Sequence, residues 1–278
     1  MSEKKDEPLS AATASVALVG ELMKAAGNDP NVKEAAGNLG KAALTLSRTI
    51  NNALLPLAAV NFAFEKARAY FEGSFQADIA KKAENIPPEN IQEPKASVAG
   101  PALQALAFTH EEASLKNMFL ELLATAMDSR KAEFAHPAFV EIIKQLDSTE
   151  APQLLNLLKA KGYIEVVSIN VEASNGDGKR TLLRHLVDMR NTATQQPVRI
   201  PRFPVMLDNW ARLGLIEVRY DAWLPGPNAY RWVESRPEFV ELRQKHGSPD
   251  TPVGFEKGII GRTNLGDEFA KAIGSASL

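Results

Sequence analysis

From Gly100 to Leu158 the apolar positions repeat at helical spacing in three consecutive blocks, each with its own start signal. In the first, Leu115, Met118, Phe119, Leu122, Leu123 and Ala126 fall on one helical face, while Glu111, Lys116, Glu121 and Asp128 fall off it. Thr109 stands three residues before Glu112, a spacing that predicts a capping box at this helix start. The second block follows His136-Pro137, where proline suits a first turn because its missing N–H has no intrahelical partner there. Phe139, Ile142, Ile143 and Leu146 continue it. The third opens at Asp147-Ser148-Thr149-Glu150, carries Leu154, Leu155, Leu157 and Leu158, and ends at Gly162. Together they predict a packed helical core.

Upstream the pattern weakens. Residues 1–10 read as a polar tail, and residues 11–48 as two Ala/Gly-rich helical patches separated near Asn28-Asp29-Pro30. Gly37 and Gly40 each cost such a helix about 1 kcal/mol relative to alanine, so residues 1–48 are expected to be mobile helices unless a partner holds them. The central helical domain is placed at residues 49–162. Its first part is the most apolar stretch of the chain, with Ala53 to Phe64 interrupted only by Pro56 and Asn61. A bilayer-spanning helix needs about 20 apolar residues, so this run is too short to cross alone. Two readings stand: a buried helix, or a hydrophobic hairpin with the preceding helices that touches a membrane through residues 11–72. A charged helix with Asp78, Lys81 and Lys82 comes next. Prolines 87, 88, 94 and 101 then predict an extended connector into the core.

After Gly162 the period changes. Residues 163–171 are rich in β-branched side chains and predict a strand, and Asn175-Gly176-Asp177-Gly178 closes a hairpin onto Thr181–Val187. With the polar stretch up to Arg202, residues 163–202 form a hairpin and connector. Residues 203–278 then read as a helix through Trp210, a strand at Leu215–Tyr220 and a turn at Pro225–Asn228. A strand at Ala229–Val233, a short helix from Pro237 and a strand at Gly258–Gly261 come after it. A last helix begins at Thr263, with Leu265, Phe269 and Ile273 inward. The expected fold is mainly α, with a helical N-terminal and central part followed by a smaller α+β, winged-helix-like domain.

Composition narrows function by exclusion. A 45% hydrophobic content over 278 residues supports a sizeable core and excludes wholesale disorder. The net charge of −2 gives no global pull toward polyanions. The balance is uneven: 15 basic against 20 acidic side chains in residues 1–150, and 14 against 11 in residues 180–278. With no cysteine, disulfides, iron–sulfur clusters and thiolate zinc sites are excluded. That suits a reducing cytosol, and MSEKKDEPLS leads into no secretory signal. A cytoplasmic protein is expected, membrane-associated only on activation.

Candidate chemistry is sparse. His110, His136, His185 and His246 show no pair at metal-ligand spacing. His136, before a proline at a helix start, reads as a cap or gap-filler before it reads as an acid–base group. Glu121 and Asp128 lie two turns apart on one helical side; they could work as paired carboxylates or simply form a wet face. Neither a Walker motif, a dinucleotide loop nor a nucleophile elbow is present, so no catalytic residue, cofactor or metal is assigned and a non-enzymatic protein is expected. Arg199, Arg202, Arg212, Arg219 and Arg231 are candidate nucleic-acid contacts, balanced by nearby acids. A protein partner or homo-oligomer is the preferred expectation, ahead of nucleic acid.

One resemblance adds to this. The segments Ile86–Ile91 with Glu93-Pro94, Gly100–Leu103, Met118–Asp128, His136–Leu146, Leu207–Ile216 and Thr263–Phe269 occur in an order that resembles the abortive-infection alpha (Abi-alpha) family of bacterial proteins. His136, Pro137, Phe139, Gln145 and Asp128 are the motif residues that carry it. The resemblance runs from about Asn51 to Ile273, and the Ala/Gly-rich N-terminus departs from it. It implies membership of bacterial antiphage conflict systems and brings no catalytic residues. The expected function is antiphage defence of the abortive-infection type through protein or membrane contacts. A nucleic-acid-binding or regulatory module, or a purely structural interaction protein, are the alternatives.

Overall fold

The computed structural model describes residues 42–43, 45–50, 61–173 and 178–275. The expectations for residues 1–41, for the Pro56 run and for the hairpin tip fall outside them. The chain divides into two compact units, Met1–Leu155 with Glu268–Leu278, and Asn156–Asp267. This division differs from the sequence-based one. The last residues return to the first unit, and the hairpin at 163–202 shares a sheet with strands from residues 203–278.

The first unit is helical. Residues 45–50 are helical, and Ala42, Ala43, Leu46 and Ile50 are buried. Helices α1 (Asn61–Glu72) and α2 (Phe75–Ala83) come next, with the rings of Phe71 and Phe75 packed edge to face at 5.3 Å. The expected extended connector is only partly extended. Ile91 is buried and bridges to Asp128, and α3 (Ala96–Thr109) begins well before Pro101, which lies inside it. Helix α4 (Ala113–Met127) buries Leu115, Met118, Phe119, Leu122, Leu123 and Ala126, as its periodicity predicts.

The capping box at Thr109 does not form. The Thr109 hydroxyl instead donates back to Ala105 O at 3.0 Å, because α3 is still running there, and α4 starts without a side-chain cap. The third start does form: Asp147 N–H donates to Glu150 Oε1 at 2.8 Å and Thr149 N–H donates to Asp147 Oδ1 at 2.8 Å. Between them lies α5 (Ala138–Lys144), with Phe139, Val140 and Ile143 buried. Helix α6 (Ala151–Lys159) leads from the first unit into the second.

The second unit is a four-stranded antiparallel sheet with helices against it. Its strands are β1 (Ile164–Glu172), β2 (Lys179–Leu186), β3 (Ile216–Arg219) and β4 (Val253–Arg262), in the order β2-β1-β4-β3. The expected β1–β2 hairpin is present. The strand expected at Gly258–Gly261 is the end of a ten-residue strand that pairs with β1 from Ile164–Ile260 to Val171–Val253. Gly258 and Gly261 allow that strand to sit under aromatic rings, since a Cβ there would meet Tyr220 at 2.7 Å and Tyr163 at 2.6 Å.

The strand expected at Ala229–Val233 is absent. Tyr230 takes a left-handed φ of 65°, and Arg231–Ser235 form a 3-10 helix. Without that strand the wing hairpin of the winged-helix reading does not form, and β3 pairs with β4 instead. Helices α7 (Phe203–Arg212) and α8 (Pro237–His246) complete the unit.

The last helix, α9 (Asn264–Ala272), starts in the second unit and ends in the first. Phe269 and Ile273 are buried, whereas Leu265, expected inward, is 41% exposed. Leu265 lies in the first turn of α9, in the second unit, whereas Phe269 and Ile273 belong to the first.

Candidate ligand-binding cleft

Within the second unit, β2, the connection that leaves it, and α8 enclose a cleft of about 480 Å³ with a largely apolar lining. Leu182, Leu186, Met189, Val198 and Ile200 supply its apolar walls. From α8, Glu238, Glu241, Leu242 and Lys245 face it, at the i, i+3, i+4, i+7 spacing of one helical stripe. Its volume lies within the roughly 300–1,000 Å³ range of small-molecule sites.

Arg236, 1% exposed, fixes the connection in place. Its Nη1 donates to Met189 O at 2.8 Å and its Nη2 to Val198 O at 3.0 Å. The same guanidinium grips Glu238, with Nε to Oε2 at 3.1 Å and Nη2 to Oε1 at 2.7 Å. Burial alone would raise the Glu238 pKa, but the Arg236 hydrogen bonds outweigh it and hold the carboxyl below its ordinary value. Arg199 is bidentate to Glu241 at 3.0 and 2.7 Å and lies 3.5 Å from Glu238. Lys245, exposed on the last turn of α8, has no side-chain partner among the described residues.

His185 borders the cleft from a bulge. Val167 pairs with Leu186 and Ile169 with Leu183, so Arg184 and His185 together oppose the single residue Ser168. His185 takes φ 59°, uncommon for a residue with a side chain. Nε2–H donates to the Asp208 carboxylate at 3.1 Å, and Nδ1 lies 3.1 Å from Tyr220 Oη, whose hydroxyl donates to it when the imidazole is neutral. The His185 backbone N–H also donates to Tyr220 Oη at 3.2 Å. Burial lowers the imidazole pKa, and Asp208 only partly opposes it. With both ring nitrogens committed, this histidine ties β2 to α7 and to the end of β3.

The residues singled out in the sequence lie elsewhere, Arg199 excepted. Arg202 precedes α7 and is exposed, Arg212 bonds Asn209 Oδ1 at 2.7 Å, and Arg231 bonds Asn228 Oδ1 at 2.9 Å. Arg219 is bidentate to Asp221, both bonds at 3.1 Å. They sit on separate elements, and Arg199 and Arg219 are held by carboxylates. The motif residues belong to the first unit and have structural contacts. His136 is exposed and its Nδ1 accepts from Ala138 N–H at 3.1 Å, while Pro137 opens the turn and Phe139 is buried. Gln145 Nε2 donates to Glu141 O at 3.0 Å.

Asp128 is 2% exposed and accepts Arg130 Nε at 2.8 Å and Nη2 at 2.6 Å. Burial raises its pKa, yet the Arg130 bonds prevail and the carboxyl stays below the usual range. Glu121 pairs with Lys82 at 2.8 Å, and Glu121 and Asp128 both line a second, more polar cleft of the first unit. No group of three or more metal-ligating side chains occurs among the described residues. None of the described helices is long and apolar enough to cross a membrane.

Sequence reasoning missed the cleft. The α8 stripe was a legible signal, whereas the bulge at His185 depends on a register that only the folded sheet defines.

Fold and cleft together define a two-unit protein, helical in one part and α+β in the other, with a preformed apolar site in the second. The sequence profile described as abortive infection alpha matches residues 67–273, most of the chain, and the protein belongs to that family. No curated protein and no solved structure matches it.

Proposed function

We propose that this chain is a non-enzymatic antiphage defence protein of the abortive-infection type, and that it works through contacts. In this reading the second unit receives a ligand in the apolar cleft, and the consequence is a changed contact with a protein or membrane partner. One observation carries it: the cleft is open, apolar and preformed, while the ionisable groups around it other than Lys245 are committed to fixed partners. A general acid or base works on a proton within its hydrogen-bond reach in the bound substrate. Glu238 and Glu241 are held by Arg236 and Arg199, and His185 by Asp208 and Tyr220, contacts that support reading the site as one for binding. Family membership supports the defence context.

The test is phage plating on cells expressing the wild type or Leu242→Trp, which fills the cleft from the helix side. Loss of protection by a variant whose melting temperature is unchanged is the expected result. Full protection by that folded variant would remove the cleft from the mechanism.

A further inference from the structure

The charges around the cleft do not cancel. Two of its cations, Arg199 and Arg236, are paired with its two carboxylates, Glu241 and Glu238. Lys245 remains, exposed and unpartnered among the described residues, on the same helical stripe as Leu242. Burial disfavours the charged form of His185, so the uncompensated positive charge of the lining is the one on Lys245.

We infer that the cleft takes an apolar molecule with a single negative head group: a medium-chain acyl carboxylate or a ligand of that chemistry, its chain against the apolar walls and its head at Lys245. The inference rests on the reading of the cleft as a binding site and adds the class of ligand. Each methylene taken from water into the cleft favours binding by about 0.8 kcal/mol, so the chain supplies most of the affinity. The anion supplies orientation and choice. A neutral head leaves Lys245 unpaired, and a cationic head is repelled by it. A dianion would have to displace a carboxylate from Arg199, whose two bonds to Glu241 oppose it.

Three probes of equal chain length separate the possibilities: decanoate, decanol and decyltrimethylammonium. Each is titrated by calorimetry, below its micelle concentration, into the full chain. Decanoate is expected to bind at least tenfold tighter than the other two. Lys245→Glu should remove that tenfold preference, equivalent to about 1.4 kcal/mol, and leave decanol unchanged. Leu242→Trp and Ile200→Trp, two fillings from different walls, should abolish binding of all three.

Equal binding of decanoate and decanol, abolished by the fillings, overturns the anion selectivity and leaves the cleft as a binding site. Preference for the cation overturns it likewise. Decanoate binding that survives Lys245→Glu and both fillings is adventitious surfactant binding and overturns the inference. If no probe binds and the filled variants still protect against phage, the cleft reading fails as well.

Discussion

Removing the Arg236 side chain as Arg236→Met is the sharpest test of how the cleft is built. Methionine keeps much of the volume but none of the five donors. The change strands the Val198 carbonyl, takes one of two donors from the Met189 carbonyl, which keeps Val198 N–H at 2.8 Å, and leaves the Glu238 carboxylate, whose side chain is 14% exposed, without the partner that binds it twice. Breaking a buried pair from one side costs about 3–5 kcal/mol, and the stranded Val198 acceptor adds to the loss unless water reaches it. A destabilisation of about 3–5 kcal/mol is therefore expected in urea unfolding at neutral pH.

The pH dependence supplies an internal control. In the wild type the folded Glu238 pKa is depressed, so its contribution is present above the unfolded value near 4.5 and fades as pH falls through the folded one. In Arg236→Met the two Arg236 bonds are gone and only Arg199 and the Glu238 backbone N–H still oppose burial, so the folded pKa moves up and protonation costs the variant less. The gap between the two proteins should narrow steadily below about pH 4.5. A loss under about 1 kcal/mol, or a gap independent of pH, would refute the account of Arg236 as the clamp.

Two further predictions rest on single contacts. His185→Asn keeps a residue tolerant of positive φ but loses the relay to Asp208 and Tyr220; it should cost about 1–3 kcal/mol at pH 7.5 in denaturant melts. Because the folded His185 pKa lies below 6.5, wild-type stability should fall as pH drops from 6.5 toward that folded value; the variant should lack this slope, and an unchanged slope would assign it elsewhere. Gly266→Ala would push a Cβ into the Leu215 carbonyl, a backbone atom with little room to yield, so a loss of more than about 2 kcal/mol is expected by thermal unfolding; a neutral result would show that the start of α9 shifts freely.

What the sequence revealed and what it hid divide along the range of the interactions. Helix α4 buries the face its periodicity marks because 15 residues of consistent pattern settle both its type and its inward side. The start at Asp147 was legible because the bonds that close it, Asp147 N–H to Glu150 and Thr149 N–H to Asp147, both span three residues or fewer. Thr109 and Glu112 have the same spacing and fail, since the preceding helix still claims the threonine hydroxyl. Ala229–Val233 has strand-like composition, but the buried Tyr230 hydroxyl reaches Gly258 O at 2.9 Å, and its left-handed backbone ends any extended run. The β1–β4 pairing joins residues about ninety positions apart, and no local pattern registers it. The cleft inherits that limit. Arg236 was visible as one arginine among several, and its two carbonyl partners lie 47 and 38 residues away.

A buried guanidinium is a costly way to stabilise a domain, which bears on why this one is present. Replacing a buried ion pair by apolar residues of similar volume is often neutral or stabilising, since desolvation can exceed the attraction. If Arg236 and Glu238 served stability alone, methionine at both positions would do as well. What apolar side chains cannot do is hold the carbonyls of Met189 and Val198 at fixed distances, and these belong to a connection without regular secondary structure that forms one wall of the cleft. The double variant Arg236→Met/Glu238→Met should therefore regain at least half of the stability lost by Arg236→Met. It should still lose the apolar site, read as a drop of tenfold or more in decanoate affinity for the full chain. Recovery of stability together with undiminished binding would show that the wall shapes itself without the clamp.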